Sequence, residues 1–219
     1  MREEDMFART VETYCSLSGA AAYVGKEMKH AAARRGTVYL PLEGLELDGW
    51  RVLDVGCGFG RDVAEFRRRG AVAFGCDVSD VLLGKARSDY GEGFAKYDVR
   101  GGGALPFHGG FDLIWCCAVF VHVPRAELDA VIGRMWEGLK PGGRMVMTTK
   151  EGQGEKVVDN LGAGLERMMV YYSPGELVNA VRRLGGDMEA MSDSNVVLPT
   201  GDALMWVRAR KPFGVASAA

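Results

Sequence analysis

Three aspartates, Asp54, Asp77 and Asp98, each close a short β-type run, and the first is followed at once by the glycine cluster Gly56-Cys57-Gly58-Phe59-Gly60-Arg61. Glycines let a backbone turn sharply and come close to a ligand without a side chain intervening. An aspartate at a strand end either accepts hydrogen bonds from that ligand or caps the helix that follows. The spacing is G-x-G-x-G. A dinucleotide site wants G-x-G-x-x-G, and the bulky Arg61 stands where its third glycine would be, so NAD is disfavoured. The Lys-Ser/Thr pair of a phosphate loop is absent. His122, in "VFVHVP", follows an apolar strand pattern and is the best general-base candidate, since histidine exchanges a proton near neutral pH. His30 and His108 lie in an Ala-rich helical stretch and a glycine loop, where a solvated histidine is the default. The cysteines, Cys15, Cys57, Cys76, Cys116 and Cys117, are odd in number and contain no C-x-x-C pair, which predicts neither a disulfide framework nor a metal site.

These residues need a scaffold that brings strand ends together. Two helical stretches come first, Arg2 to Leu17 and Ala20 to Arg35, with Gly36 as a stop signal and a connector from Pro41 to Gly49. From Arg51 the pattern alternates. Strands are expected at Arg51–Val55, Val72–Asp77, Gly93–Tyr97, Phe111–Cys116 and Arg144–Thr149. Between them lie helices at Arg61–Arg69, from Ser79 to Asp89, and over the stripe Leu128, Val131, Ile132, Met135, Trp136 and Leu139. Lys140-Pro141-Gly142-Gly143 stops the last of these. Ser173-Pro174-Gly175-Glu176 is a capping box that opens another helix. Two strands, Met188–Ser194 and Ala203–Arg210, follow on too short a connector for a crossover, so they form an antiparallel hairpin. The prediction is an α/β, doubly wound, mostly parallel seven-stranded sheet with an antiparallel C-terminal hairpin, helices on both faces and an N-terminal helical cap. Ligands of such sheets bind beyond the carboxyl ends of the strands, where strand order reverses. Lys150–Val170 is the least regular long stretch and reads as a loop on that side, a lid or an ordinary solvated connection.

"VLDVGCGFG" resembles the first motif of class I S-adenosylmethionine-dependent methyltransferases. The resemblance continues through "GCDVSDVLLGKAR", "YDVR", "FDLIWCCAVFVHVP" and "WEGLKPGGRMVM", in the family's order, over residues 50 to 210. It implies an N-terminal cap over residues 1–49 and a methyltransferase domain over 50–219, of the compact, small-molecule type. It also implies S-adenosylmethionine as cofactor and S-adenosylhomocysteine as product. Asp54 would stand near the methionine ammonium and carboxylate. Gly56, Gly58 and Gly60 would pack on the cofactor, and Asp77 would accept from the ribose hydroxyls with Val78 against the adenine. Asp98 and the Val99 amide would bind the adenine edge, and Cys116 and Cys117 would contact the methionine end. Tyr14, Lys150, Arg167 and Tyr171 are candidates for the substrate wall, with Tyr23, Glu151 and Tyr172 beside them. His122 would serve as base or orient its loop.

The balance of 27 Lys and Arg against 29 Asp and Glu gives a net charge of −2, which does not advertise nucleic acid or membrane. Arg67-Arg68-Arg69, before Gly70, reads as the cationic last turn of a helix. No apolar signal core or membrane-length run is present, so a cytoplasmic setting is expected. The implied function is methyl transfer to a small-molecule O, N or C nucleophile, with oligomeric state open. An RNA methyltransferase, a non-catalytic cofactor-binding module and an NAD oxidoreductase are the alternatives.

Overall fold

The structure is a computed structural model that describes residues 3–162, 164–192, 196–197 and 203–213. Helices α1 (Glu3–Cys15) and α2 (Leu17–Val38) come first. They meet at an elbow where the Gly19 amide donates to Ser16 Oγ at 3.0 Å. A Cβ on Gly19 would lie 1.8 Å from the Thr13 carbonyl oxygen, so only glycine fits this turn. Helix α2 runs through Gly36 instead of stopping there. Val38 is 3% exposed in the core, and packing of the last turn overrides the glycine's low propensity.

The sheet contains β1 (Arg51–Val55), β2 (Val72–Asp77), β3 (Phe94–Lys96), β4 (Phe111–Cys117), β5 (Leu139–Lys150), β8 (Asp187–Met191) and β10 (Ala203–Arg210). Off the sheet lie β6 (Glu155–Val158) and β7 (Arg167–Val170), while β9 (Val196–Val197) adds to β10. The order is β3-β2-β1-β4-β5-β10-β8. All pairs from β3 to β5 are parallel, and β10 is antiparallel to both neighbours, as the short connector requires. Order reverses between β1 and β4, which opens a crevice at their carboxyl ends.

Burial alternates along the central strands. Leu53, Ile114, Cys116, Met145 and Met147 join one core layer, with Val131, Ile132 and Met135 of α5 (Leu128–Glu137) and Leu177 and Val181 of α6 (Pro174–Arg183). Val52, Leu113, Trp115 and Val146 face the other layer, with Phe66 of α3 (Arg61–Arg68) and Leu83 of α4 (Asp80–Tyr90). A period of two on strands and of 3.6 on helices thus sandwiches the sheet. The capping box at Ser173 forms as expected, its amide donating to Glu176 Oε2 at 2.7 Å. Arg67, Arg68 and Arg69 close α3: Arg68 and Arg69 pair with Glu65, and Arg67 donates to the carbonyls of Ala73, Tyr90 and Glu92.

Two expectations need correction. Strand β5 begins at Leu139, so Pro141 and its glycines form an irregular strand opening, with a register shift opposite Phe111–Leu113. Lys150–Val170 is not a loop: β6 and β7 pair antiparallel within it. Its glycines lie in the turns, while Met168, Met169 and Val170 are buried. Part of the predicted Met188–Ser194 strand and the connector to β10 lie outside the described residues.

Candidate active site

Strand β1 delivers Asp54, 2% exposed, to the floor of a cavity of about 220 Å³ at the crevice. Burial, then the charges of Asp62 and Asp77, push the Asp54 carboxyl well above the usual range, against the pull of Arg61. No cation stands within ion-pair distance of it among the described residues. The chain then turns at Gly56, with φ of 71°. A Cβ there would lie 2.5 Å from Val119 Cγ2, so glycine is required both for the turn and for the closeness of the loop after β4.

Strand β2 ends at Asp77, which is bound at both oxygens. The Gly58 amide donates to Oδ2 and the Ser79 amide to Oδ1, each at 2.9 Å. Each oxygen keeps acceptor capacity. Burial raises its pKa while these amides lower it. Ser79 caps α4 and donates to the Tyr14 carbonyl at 2.7 Å, which ties α1 to the exit of β2. Val78, Asp98 and Val99 line the adjoining wall. Asp98 is exposed and accepts from the Arg100 amide at 2.9 Å.

The opposite end is built from α1, the exit of β4, and β7. His122 lies half-buried by area but fully enclosed by protein groups. Its Nδ1 is 3.0 Å from the Met168 carbonyl, which only accepts. Nδ1 therefore carries the proton, and Nε2 accepts from Tyr14 Oη at 3.0 Å. Burial first, then the charge of Arg167, lowers the His122 pKa to about 3. Arg167 donates to Tyr14 Oη and to Asn160 Oδ1.

Of the residues singled out by sequence, Tyr14, Asp54, Gly56, Gly58, Asp77, Val78, Asp98, Val99, Cys117, His122, Lys150 and Arg167 meet at this one cavity. Tyr23 joins them, and five do not line it: Glu151 and Tyr172 pair with each other outside the lining, Tyr172 Oη donating to the Val123 carbonyl, and three more lie elsewhere. Gly60 packs against Phe94 and Ala86. The Cys116 side chain is fully buried, its Sγ 3.4 Å from Met135 Sδ. Tyr171 packs over Gly152, outside the lining. His30, set aside in the sequence, does line the cavity.

Sequence reading assigned no role to Asp62, yet it organises the loop. Its carboxylate accepts from Arg61 Nε and Tyr39 Oη at 2.8 Å each and from Trp115 Nε1 at 3.0 Å. These bonds and the Arg61 charge hold its pKa low despite burial, and Arg61 also pairs with Glu27 of α2 at 2.9 Å. The available signal was an acid in the first turn of α3, on the same face as Phe66 four residues on. Thr149 and Asn160 also line the cavity without having been singled out.

A family model described as a methyltransferase domain matches residues 52–143. The chain is 30% identical over 162 residues to a ubiquinone biosynthesis O-methyltransferase from Xanthomonas euvesicatoria pv. vesicatoria, covering 68% of this chain and 67% of that protein. The chain belongs to the class I S-adenosylmethionine-dependent methyltransferases. This methyltransferase is also 30% identical over 169 residues to Methyltransferase GfsG of Streptomyces halstedii, covering 72% of the chain and only 60% of that relative's length. Its fold is similar to that in a DhpI–SAM–HEP complex, with a TM-score of 0.75 at 15% identity, covering 97% of this chain and 100% of the other.

S-adenosylmethionine is the family's methyl donor, and the residues present fit it. Gly56 and Gly58 line the cavity with bare backbone, Asp54 is a buried acid without a cation, and Asp77 is fixed with acceptor sites to spare. Among the described residues no group of His, Cys, Asp and Glu could hold a metal, and no helix is long and apolar enough to cross a membrane.

Proposed function

We propose that this methyltransferase transfers a methyl group to an O, N or C nucleophile of a small molecule. The observation that carries the reading is that the acids at the strand ends and the Tyr14–His122–Arg167 group line one small cavity. Asp54 would hold the methionine ammonium, Asp77 the ribose diol, and Asp98 with the Val99 amide the adenine edge. Tyr14 of α1 and Tyr23 of α2 line this site, which supports reading the two helices as a cover over it. Bound there, S-adenosylmethionine would supply an activated methyl, taken by the acceptor's electron pair as the carbon–sulfur electrons return to sulfur, with the acceptor's proton released to solvent.

Catalysis of such a displacement rests on alignment and exclusion of water. His122 serves that alignment. Its Nε2 is engaged by Tyr14 and its basicity is depressed, so it acts as a positioning residue that fixes the tyrosine in the acceptor wall. The likeness to a ubiquinone biosynthesis O-methyltransferase favours a small metabolite over RNA, as does the net charge of −2.

Two measurements test the reading. Calorimetry should show S-adenosylhomocysteine binding and no NAD binding, with Asp77→Ala weakening the former at least tenfold. Labelled methyl offered with cell extract should enter the small-molecule fraction. Label confined to RNA or protein would overturn the substrate class.

A further inference from the structure

The cavity wall contains a cation that no carboxylate neutralises among the described residues, although it lies over the Tyr14 ring at 5.2 Å. Arg167 is 5% exposed, and among the described residues no carboxylate lies within 4.0 Å of it. Its neighbour Glu166 pairs instead with Arg9 at 3.0 Å. Arg167 gives one bond each to Tyr14 and Asn160, and its Nε is buried without a partner. A guanidinium has five N–H donors, and buried charges are ordinarily paired. A second orphan lines the same cavity: Thr149 is fully buried and its Oγ1 has no partner.

Acids line only one end of the cavity. Glu27, Asp54, Asp62, Asp77 and Asp98 all come from α2 and from the exits of β1 to β3, where the cations Lys26, Arg61 and Arg100 line it with them. The end formed by β5 and β7 contributes Lys150 and Arg167 and no acid. His122, which lies between, is kept neutral by burial and by the Arg167 charge, and its contacts with the Met168 carbonyl and Tyr14 Oη fit that form.

We infer that Arg167, with Thr149, receives an oxyanion carried by the methyl acceptor, a carboxylate or a phosphoryl group at the far end of the molecule from the atom that is methylated. The reading rests on the methyl-transfer function proposed above. Arg167 supplies a planar set of donors and Thr149 a hydroxyl donor, the combination that oxygen anions take up. An acceptor held by its anion gains affinity and a fixed direction of approach from a group remote from the reacting atom.

The test uses the full chain saturated with S-adenosylhomocysteine and three probes: 4-hydroxybenzoate, 4-hydroxyphenyl phosphate and the neutral 4-hydroxybenzamide. Calorimetry should show at least one anionic probe binding ten times more tightly than the amide, and the stronger of the two identifies the group. Arg167→Gln should abolish that preference, Arg167→Lys should keep part of it, and Thr149→Val should reduce it. The dissociation constant for S-adenosylhomocysteine should stay within twofold in all three variants. No anion preference in the wild type, including no binding of any probe, overturns the inference, and so does a preference that survives Arg167→Gln. A loss of S-adenosylhomocysteine affinity in Arg167→Gln overturns it too, because the cofactor's own carboxylate would then be the partner. Failure of the wild type to bind S-adenosylhomocysteine would instead sink the methyl-transfer reading.

Discussion

Asp54 and His122 show how one cavity sets two protonation states through burial. The Asp54 carboxyl is pushed up by desolvation and by Asp62, so the folded chain holds its proton at a pH where the unfolded chain has lost it. Stability from this group therefore falls as pH rises from the ordinary carboxylate range through the raised value. Asp54→Asn removes that liability and also the acceptor for an ammonium. The variant should resist urea better than wild type at pH 8, by about 1–2 kcal/mol, while binding S-adenosylhomocysteine at least tenfold more weakly. Denaturation and calorimetry on the same preparation check both signs. His122 has the opposite linkage. Its folded pKa is about 3, below an unfolded value of about 6.5. The unfolded chain thus binds the extra proton between those limits, and stability drops as pH falls through that window. In His122→Gln the loss of melting temperature from pH 7 to pH 4 should be smaller than in wild type. An equal or steeper loss would show that the ring is not held neutral.

At the scale of elements, the glycine loop is held by an ionic knot that joins three separate pieces of chain. Asp62 of α3 accepts from Tyr39, at the end of α2, and from Trp115 on β4, and Arg61 carries the link on to Glu27. Removing one member of such a buried set leaves the others uncompensated, at a cost of about 3–5 kcal/mol. Asp62→Ala should lower the midpoint of urea unfolding accordingly. It should also weaken S-adenosylhomocysteine, because the loop that follows Gly56 loses its anchor. Unchanged affinity would mean that the loop keeps its shape without the knot. The β6–β7 hairpin is the other element with a consequence for the site. It presents Arg167 to α1, where the Met168 amide donates to Thr10 Oγ1 at 2.8 Å and Thr13 Oγ1 donates to the Glu166 carbonyl at 3.2 Å. Helix α1 and β7 are thereby one packed unit.

Across the whole molecule, the five cysteines report on the two layers of the core. Cys57, Cys76 and Cys116 are buried and burial pushes each thiol up, so they are poor nucleophiles; Cys76 and Cys116 are also fully inaccessible, while Cys57 edges the cavity. Cys15 and Cys117 are half-buried, and Cys117 lines the cavity. A thiol reagent on the native protein should modify at most these two, with the remainder reacting only on unfolding. S-adenosylhomocysteine should slow the reaction at Cys117. Mass mapping of the labelled peptides checks this, and fast labelling of Cys76 or Cys116 would contradict the packing.

The sequence by itself determined what local pattern can specify. The strand and helix alternation was legible because period-two and period-3.6 burial are written in residue type, as in Val52–Val55 and Leu128–Trp136. The glycines and strand-end acids were legible because they sit within a few residues of the elements that place them. The β6–β7 hairpin was hidden by Gly152 and Gly154 before it and Gly162 and Gly164 within its turn, which read as loop. Tyr14, His122 and Arg167 were each candidates in the sequence, but their meeting was decided by tertiary structure. Tyr14 and Arg167 are 153 residues apart, and Tyr14 and His122 are 108 apart. Only folding brings them together, and only burial decides that the histidine is neutral and that the arginine keeps an unsatisfied donor.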